Sequence, residues 1–167
     1  MSERARLFVT AWLPGRVVDA IAALPRPDEP GVRYSRRDQW HVTMRFLGSC
    51  EVDEALAAFH TIDASATEAV VGPAVSRLGR SIVVVPVQGL DALAAEVVRA
   101  TSDVGQPPDP RPFTGHITIA RLRDRAACGV AGGRFVDRFP VDAVHLVRSD
   151  LRPDGAVYDT IATQRLR

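Results

Sequence analysis

The chain has 167 residues, 46% hydrophobic and 25% charged, and its 21 basic against 20 acidic side chains leave a net charge of +1. That size suits one domain, or two small lobes on a shared core, and the charge balance excludes a protein that grips long duplexes by counterion release, which needs a basic surplus. All 21 basic residues are arginine, so there is no P-loop lysine, no Schiff base and no nucleotidyl-lysine intermediate, and any nucleic-acid ligase activity would not depend on nucleotide activation.

In chain order, Leu7 to Trp12 predicts a strand, and Pro14 to Leu24 a helix with Val17, Val18, Ile21 and Leu24 at helical spacing. A Pro-rich loop, 25–31, leads to a short strand, Val32 to Ser35, and then to a strand from His41 to Leu47 that stops at Gly48. Val52 to about His60 predicts a helix with Asp53 and Glu54 at its N-terminus, where acidic side chains suit the dipole. Strands are expected at Val70-Val71, Val75–Leu78 and Ser81–Val87, followed by the longest helical pattern, Leu90 to about Val104. The loop 105–115 carries four prolines and delivers the chain into a strand that starts at His116. A polar, Gly-rich piece runs from Arg121 to Gly133. A long strand, Val141 to Leu151, then turns at Arg152-Pro153-Asp154-Gly155 into a closing strand, Tyr158 to Leu166. The order predicts an α+β fold with mainly antiparallel sheets and no internal linker, hence one domain over 1–167.

No stretch approaches the ~20 apolar residues of a membrane helix. The apolar run Leu7 to Leu13 is too short for a signal peptide, so a cytoplasmic protein is expected, with no membrane partner. Cys50 and Cys128 fit that compartment and need not pair. Neither closely spaced histidines nor a Cys-x-x-Cys occurs, so neither a metal nor a cofactor is expected. His60 and His145 have no partner motif around them.

Two near-identical words stand 75 positions apart (116 − 41): His41-Val42-Thr43-Met44 and His116-Ile117-Thr118-Ile119. On a strand, residues i and i+2 share a face, about 6.6–6.8 Å apart, while Val42, Met44, Ile117 and Ile119 turn towards a core. Each word thus offers an imidazole and a hydroxyl to one side. Two imidazoles facing one phosphodiester can work in opposite protonation states, one taking a proton from the attacking oxygen and the other supplying one to the departing oxygen. Thr43 and Thr118 can hydrogen-bond the non-bridging oxygens. Arg45 shares the parity of His41 and Thr43 and is aimed at the same cleft. Arg121 follows the parity of Ile117 and reaches phosphate only if the strand bulges or ends there. Phe46 falls on the core-facing parity. Trp40, Tyr34 and Phe113, just ahead of the motifs, are candidates for stacking a nucleobase.

With their flanks, Trp40-His41-Val42-Thr43-Met44-Arg45-Phe46-Leu47-Gly48 and Phe113-Thr114-Gly115-His116-Ile117-Thr118-Ile119-Ala120-Arg121 resemble the two signatures of the two-histidine (2H) phosphoesterase superfamily. The likeness is to its LigT-like RNA 2′,3′-cyclic phosphodiesterases, also called 2′-5′ RNA ligases. Arg6-Leu7-Phe8-Val9 with Leu13-Pro14 resembles that family's first strand and turn. Leu146 to Leu151, followed by Gly155 and Tyr158, resembles its closing hairpin. The resemblance implies two pseudo-symmetric lobes with a cleft between two antiparallel sheets and helices on the outer faces. It implies metal-independent hydrolysis of a 2′,3′-cyclic phosphate to a 2′-phosphate. The catalytic residues would be His41 and His116, with Thr43, Thr118, Arg45 and Arg121 on the phosphate. Two residues depart from the pattern: Met44 replaces a commoner leucine, and Gly115 replaces the usual proline and loosens the approach loop. Expected partners are RNA 3′ ends or small cyclic nucleotides, acted on by a monomer. The alternatives are 2′-5′ RNA joining, hydrolysis of 2′-5′ linkages or of ADP-ribose cyclic phosphates, and a non-catalytic RNA-end-binding module.

Overall fold

The computed structural model describes residues 2–123 and 126–167. Their elements follow in the order β1 (Arg4–Trp12), α1 (Gly15–Ala22), β2 (Val32–Tyr34), a 3-10 turn (Arg37–Gln39), β3 (His41–Glu51), α2 (Val52–Phe59), β4 (Thr67–Val71), β5 (Ser76–Leu78), β6 (Ile82–Gln88), α3 (Asp91–Ala100), β7 (His116–Leu122), β8 (Asp137–Val141), β9 (Ala143–Arg152) and β10 (Gly155–Arg165). Four strands make one sheet, in the order β10-β9-β1-β3. The other runs β2-β7-β6-β4-β8, with β5 also on β6. Every pairing between these strands is antiparallel, as the α+β order of the elements leads one to expect.

The two sheets repeat one unit. In each, a strand, a helix and then a His-x-Thr strand follow one another in the chain, and the two strands pair: β1 with β3, β6 with β7. The registers correspond. Thr43 pairs with Thr10 and His41 with Trp12; Thr118 pairs with Val84 and His116 with Pro86. Val42, Leu47, Ile117 and Ile119 are at most 1% exposed and join one hydrophobic core with residues of both sheets and all three helices. Burial of each such side chain contributes about 1.5–3 kcal/mol, which pins the polar parity, and with it His and Thr, to the other face.

Each His-x-Thr strand then carries an extra residue at the third position after its histidine. Between β6 and β7, Val84 pairs with Thr118 but Val83 with Ala120, so Ile119 is unmatched. Between β1 and β3, Thr10 pairs with Thr43 but Val9 with Arg45, so Met44 is unmatched. A bulge of this kind reverses the alternation beyond it. From the histidine onward the first five residues run half-buried, buried, half-buried, buried, buried in both strands. The sixth, Phe46 or Arg121, then comes back to the polar side.

Three elements differ from the sequence reading, the first being β3, which runs past the expected stop at Gly48 to Glu51. The helix expected to reach Val104 stops at Ala100; the Thr101 hydroxyl then donates back to Val97 O (2.6 Å), closing the last turn. The strand expected from Val141 is two strands broken at Asp142, and β8 belongs to the second sheet, on the far edge from β2. Pro140 in β8 lacks an N–H and hid that strand; an edge strand tolerates it. Within the polar piece after Arg121, residues 124 and 125 lie outside those described. Among the described residues no helix is long and apolar enough to cross a membrane.

Candidate active site

A cleft of about 620 Å³ opens between the sheets, lined by His41, Thr43 and Phe46 of β3 and by His116, Thr118 and Arg121 of β7. Its walls add Arg6 and Phe8 from β1, Arg33 and Ser35 from β2 and its exit, Arg152 from β9 and Tyr158 from β10. Among the described residues, four arginines and no carboxylate face this space. In a chain of net charge +1, that concentration marks a site for an anion.

The two imidazoles are held by the same device. The Nδ1–H of His41 donates to the carbonyl of Gln39 (2.6 Å), and that of His116 to the carbonyl of Thr114 (2.7 Å), two residues upstream in each case. A carbonyl only accepts, so the proton sits on Nδ1 and Nε2 is left for chemistry. The Thr43 hydroxyl donates to His41 Nε2 (2.9 Å). The surroundings then differ. The His41 ring is packed among Phe8, Tyr158 and Trp12, with centroids 4.9, 5.3 and 5.7 Å away. Burial in this aromatic cage lowers the His41 pKa to about 4. The hydrogen bond to Gln39 opposes the shift, while His116 and Arg121 add to it. His41 is therefore neutral at pH 7.

Gln39 is itself tied down. Its side-chain carbonyl accepts from Arg36 N (2.8 Å) and its amide donates to Ala156 O (2.9 Å). The Arg36 guanidinium donates to Asp154 O and Ala156 O (3.0 Å each). The β9–β10 hairpin thus braces the turn whose carbonyl orients His41.

Of the residues singled out in the sequence, His41, Thr43, His116, Thr118 and Arg121 meet in the cleft. Arg121 gets there through the Ile119 bulge. Four others do not. Arg45, displaced by the Met44 bulge, is 5% exposed, and its guanidinium donates to Thr101 O, Thr101 Oγ1 (2.9 Å), Val104 O (3.0 Å) and Gln106 O (2.7 Å). It fastens the end of α3 instead of meeting phosphate. Trp40 is 1% exposed, within the core, so no base can stack on it. Tyr34 packs against the core and its hydroxyl donates to Pro27 O (3.0 Å), because its neighbour Arg33 takes the cleft-facing parity. Phe113 lines a separate groove. The aromatic ring that does reach the cleft from this set of strands is Phe46, read from the sequence as core, and Arg6 lies over its face at 4.4 Å.

Sequence reasoning also passed over Tyr158, Arg6, Arg33 and Arg152 as site residues. Burial raises the Tyr158 pKa, so its hydroxyl remains a donor at neutral pH. Gly115 does not loosen the approach to β7. A Cβ there would lie 2.4 Å from Val87 O, and Val87 N donates to Gly115 O (2.9 Å), so the missing side chain lets two backbones touch just before His116. Cys50 and Cys128 are buried and unpaired. His60 and His145 hydrogen-bond to Gln164 and Thr163 of β10, outside the cleft. Among the described residues no group of three or more His, Cys, Asp or Glu side chains is placed to hold a metal ion.

A groove of about 1070 Å³ adjoins the cleft and shares Thr43, Phe46 and His116 with it. Ala94, Ala95 and Val98 of α3 form one side and the proline-rich loop 106–114 the other.

The family model for LigT-like phosphoesterases matches residues 83–158, a span that holds His116, Thr118, Arg121 and Tyr158. Escherichia coli LigT in its apo form superposes with a TM-score of 0.80 over 99% of both chains at 24% identity. The chain is similar to LigT-like phosphoesterases over residues 83–158 and shares their fold over nearly its whole length. The LigT-like fold is shared with TT0787 of Thermus thermophilus (TM-score 0.73, 24% identity, 97% of this chain and 98% of that one). It is shared more distantly with the MHV ns2 PDE domain (0.55, 15%, 87% and 99%). E. coli LigT has also been crystallised with NADP+, 3′-AMP, ATP and phosphate. No curated protein matches the sequence.

Proposed function

We propose that this LigT-like chain hydrolyses 2′,3′-cyclic phosphate termini of RNA or nucleotides to 2′-phosphates, with His41 and His116 as the acid–base pair. The observation that carries the reading is the pairing of two imidazoles with the same tautomer but unlike surroundings, set in a cleft rich in arginine. His41, neutral, is the base. Its Nε2 takes a proton from water as the water oxygen bonds to phosphorus. The bond between phosphorus and the 3′-oxygen breaks, and His116, which enters the step carrying a second proton on Nε2, gives that oxygen the proton. Thr118 and Arg121, joined by Thr43 once its hydroxyl turns from His41 Nε2 to the substrate, hold the non-bridging oxygens and counter the charge that builds on them. Phe46, backed by Arg6, offers a face for the nucleobase. The proton transfers need no metal and no covalent intermediate.

The ligands seen with E. coli LigT, among them 3′-AMP, support a nucleotide-sized substrate. Incubation with a nucleoside 2′,3′-cyclic phosphate in EDTA, followed by phosphorus NMR, should give the 2′-phosphate alone. No turnover, or release of the 3′-phosphate, would overturn the proposal. The second groove favours one other reading, hydrolysis or joining of 2′-5′ linkages. It offers room beside His116 for a nucleoside on the leaving side, which a cyclic phosphate lacks. A 2′-5′ dinucleotide in the same assay separates the two.

A further inference from the structure

The reacting phosphate does not account for all the positive charge in the cleft. Arg121 is close enough to depress the His41 pKa, and Arg6 covers Phe46. Arg33 and Arg152 have no such task. Arg33 pairs directly with Arg121 across β2 and β7, so both side chains rise from one face. Like charges placed so are mutually destabilising. Among the described residues neither Arg33 nor Arg152 is in an ion pair or donates a side-chain hydrogen bond, whereas ten other arginines of the chain are paired with carboxylates.

Both arginines sit on strands that carry neither histidine. Arg33 faces the end of β7, five residues beyond His116. Arg152 is the last residue of β9, whose sheet holds His41 at its opposite end, paired with Trp12. Gly155 stands between the strands that carry them and is the cross-strand partner of Arg152. A Cβ on that residue would meet Arg33 Nη2 at 3.0 Å, Arg36 Nη1 at 3.1 Å and Gln39 Nε2 at 3.2 Å. With φ at +119° the position is held by glycine, and donors from three elements crowd around it. Arg36 and Gln39 spend their donors on the hairpin carbonyls, which leaves Arg33, with Arg152 as its partner in the hairpin, open to the cleft.

We propose that Arg33 and Arg152 form a subsite for a second phosphoryl group, so that the preferred ligands carry a phosphate or diphosphate on the nucleoside besides the reacting one. The proposal rests on the reading of this cleft as a nucleotide site. An unpaired pair of guanidinium groups at a fixed place along the cleft reads a planar spread of phosphate oxygens, which neutral nucleosides do not offer.

The test is calorimetric binding of adenosine 2′-monophosphate and adenosine 2′,5′-bisphosphate to the full chain at low salt, where phosphate contacts count most. Three proteins are compared: wild type, Arg33→Gln with Arg152→Gln, and Arg80→Gln with Arg134→Gln. The last removes equal charge from exposed positions outside the cleft. Wild type should bind the bisphosphate at least tenfold more tightly. The Arg33/Arg152 variant should lose that preference while holding the monophosphate within threefold of wild type, and the control should keep it. Equal affinities in wild type, no binding of the bisphosphate, or a double variant that weakens both ligands alike would overturn the subsite. So would a control that behaves like the Arg33/Arg152 variant. The readout needs no turnover, so a chain that never hydrolyses a cyclic phosphate would sink the proposed reaction without deciding the subsite.

Discussion

The β3 half and the β7 half of this molecule begin from the same four-residue word and end in different environments. Both histidines give Nδ1–H to the carbonyl two residues upstream, and both strands bulge three residues later. What differs is the neighbouring sheet. Beside β3 stand Phe8, Trp12 and Tyr158, which strip water from His41. Beside β7 stand Pro86 and Val84, with the more open groove below. At the sixth position the halves differ again, Phe46 on one side and Arg121 on the other. A repeated motif thus supplies two groups of the same chemistry, and the walls around one of them lower the pKa of His41. The difference between the halves, more than the likeness, is what the proposed acid–base roles rest on.

The severest way to break the comparison is to remove either ring. His41→Ala and His116→Ala should each lower turnover of a nucleoside 2′,3′-cyclic phosphate by roughly 10²–10⁴-fold. Their pH profiles should differ in kind. His41→Ala should lose the acid limb of kcat/KM, which the lowered His41 pKa sets, and His116→Ala should keep it; loss of that limb in both would undo the division of roles.

Next come the hydroxyls. Thr43→Val and Thr118→Val should each cost roughly 10²–10³-fold in kcat, the scale of one lost donor to a developing charge, with the substrate concentration dependence little changed.

A smaller effect sharpens the contrast. With His41 at about 4, activity should persist at pH 5, where an ordinary imidazole is mostly protonated. Trp12→Ala admits water to the cage, so the His41 pKa should climb towards 6.5 and carry the acid limb up with it. Proton NMR titration of the His41 ring, with the kinetic profile beside it, checks both. An unmoved pKa would mean the aromatic cage is not its cause.

The same shift has a stability signature. The folded state holds His41 below its unfolded value of about 6.5, so it binds fewer protons than the unfolded chain between the two values. The stabilisation is complete above 6.5 and is lost as the pH falls towards 4. Urea midpoints at pH 7 and 4.5 should fall further for wild type than for His41→Asn.

Arg45 offers a last comparison, against Ala120 at the matching position of β7. Arg45→Ala leaves several buried carbonyls without a donor and should cost about 3 kcal/mol in denaturant unfolding. A variant that folds should still turn over substrate, because Arg45 grips α3 and not phosphate.

The reach of the sequence is clearest in β7. Its apolar parity moves from Ile117 and Ile119 to Ala120 and Leu122, and that slip is the written trace of the bulge that frees Arg121. In β3 the trace is obscured, because Arg45 is charged where Ala120 is small, and a buried arginine looks like an exposed one until its carbonyl partners are seen. Trp40 and Tyr34 went astray for a related reason: an aromatic near a motif does not reveal which way the local backbone turns it.

Local alternation and two repeated words were enough to establish every strand but β8, the facing pairs of histidine and threonine, and the antiparallel α+β order, because those depend on contacts between near neighbours in the chain. Tertiary structure decided everything that needs distant residues to meet. It placed Phe8, Trp12 and Tyr158 around His41, sent Arg45 inward, and gathered Arg6, Arg33 and Arg152 along one cleft. Desolvation and charge crowding come from what packs against a side chain, and that partner lies as many as 117 positions away (158 − 41).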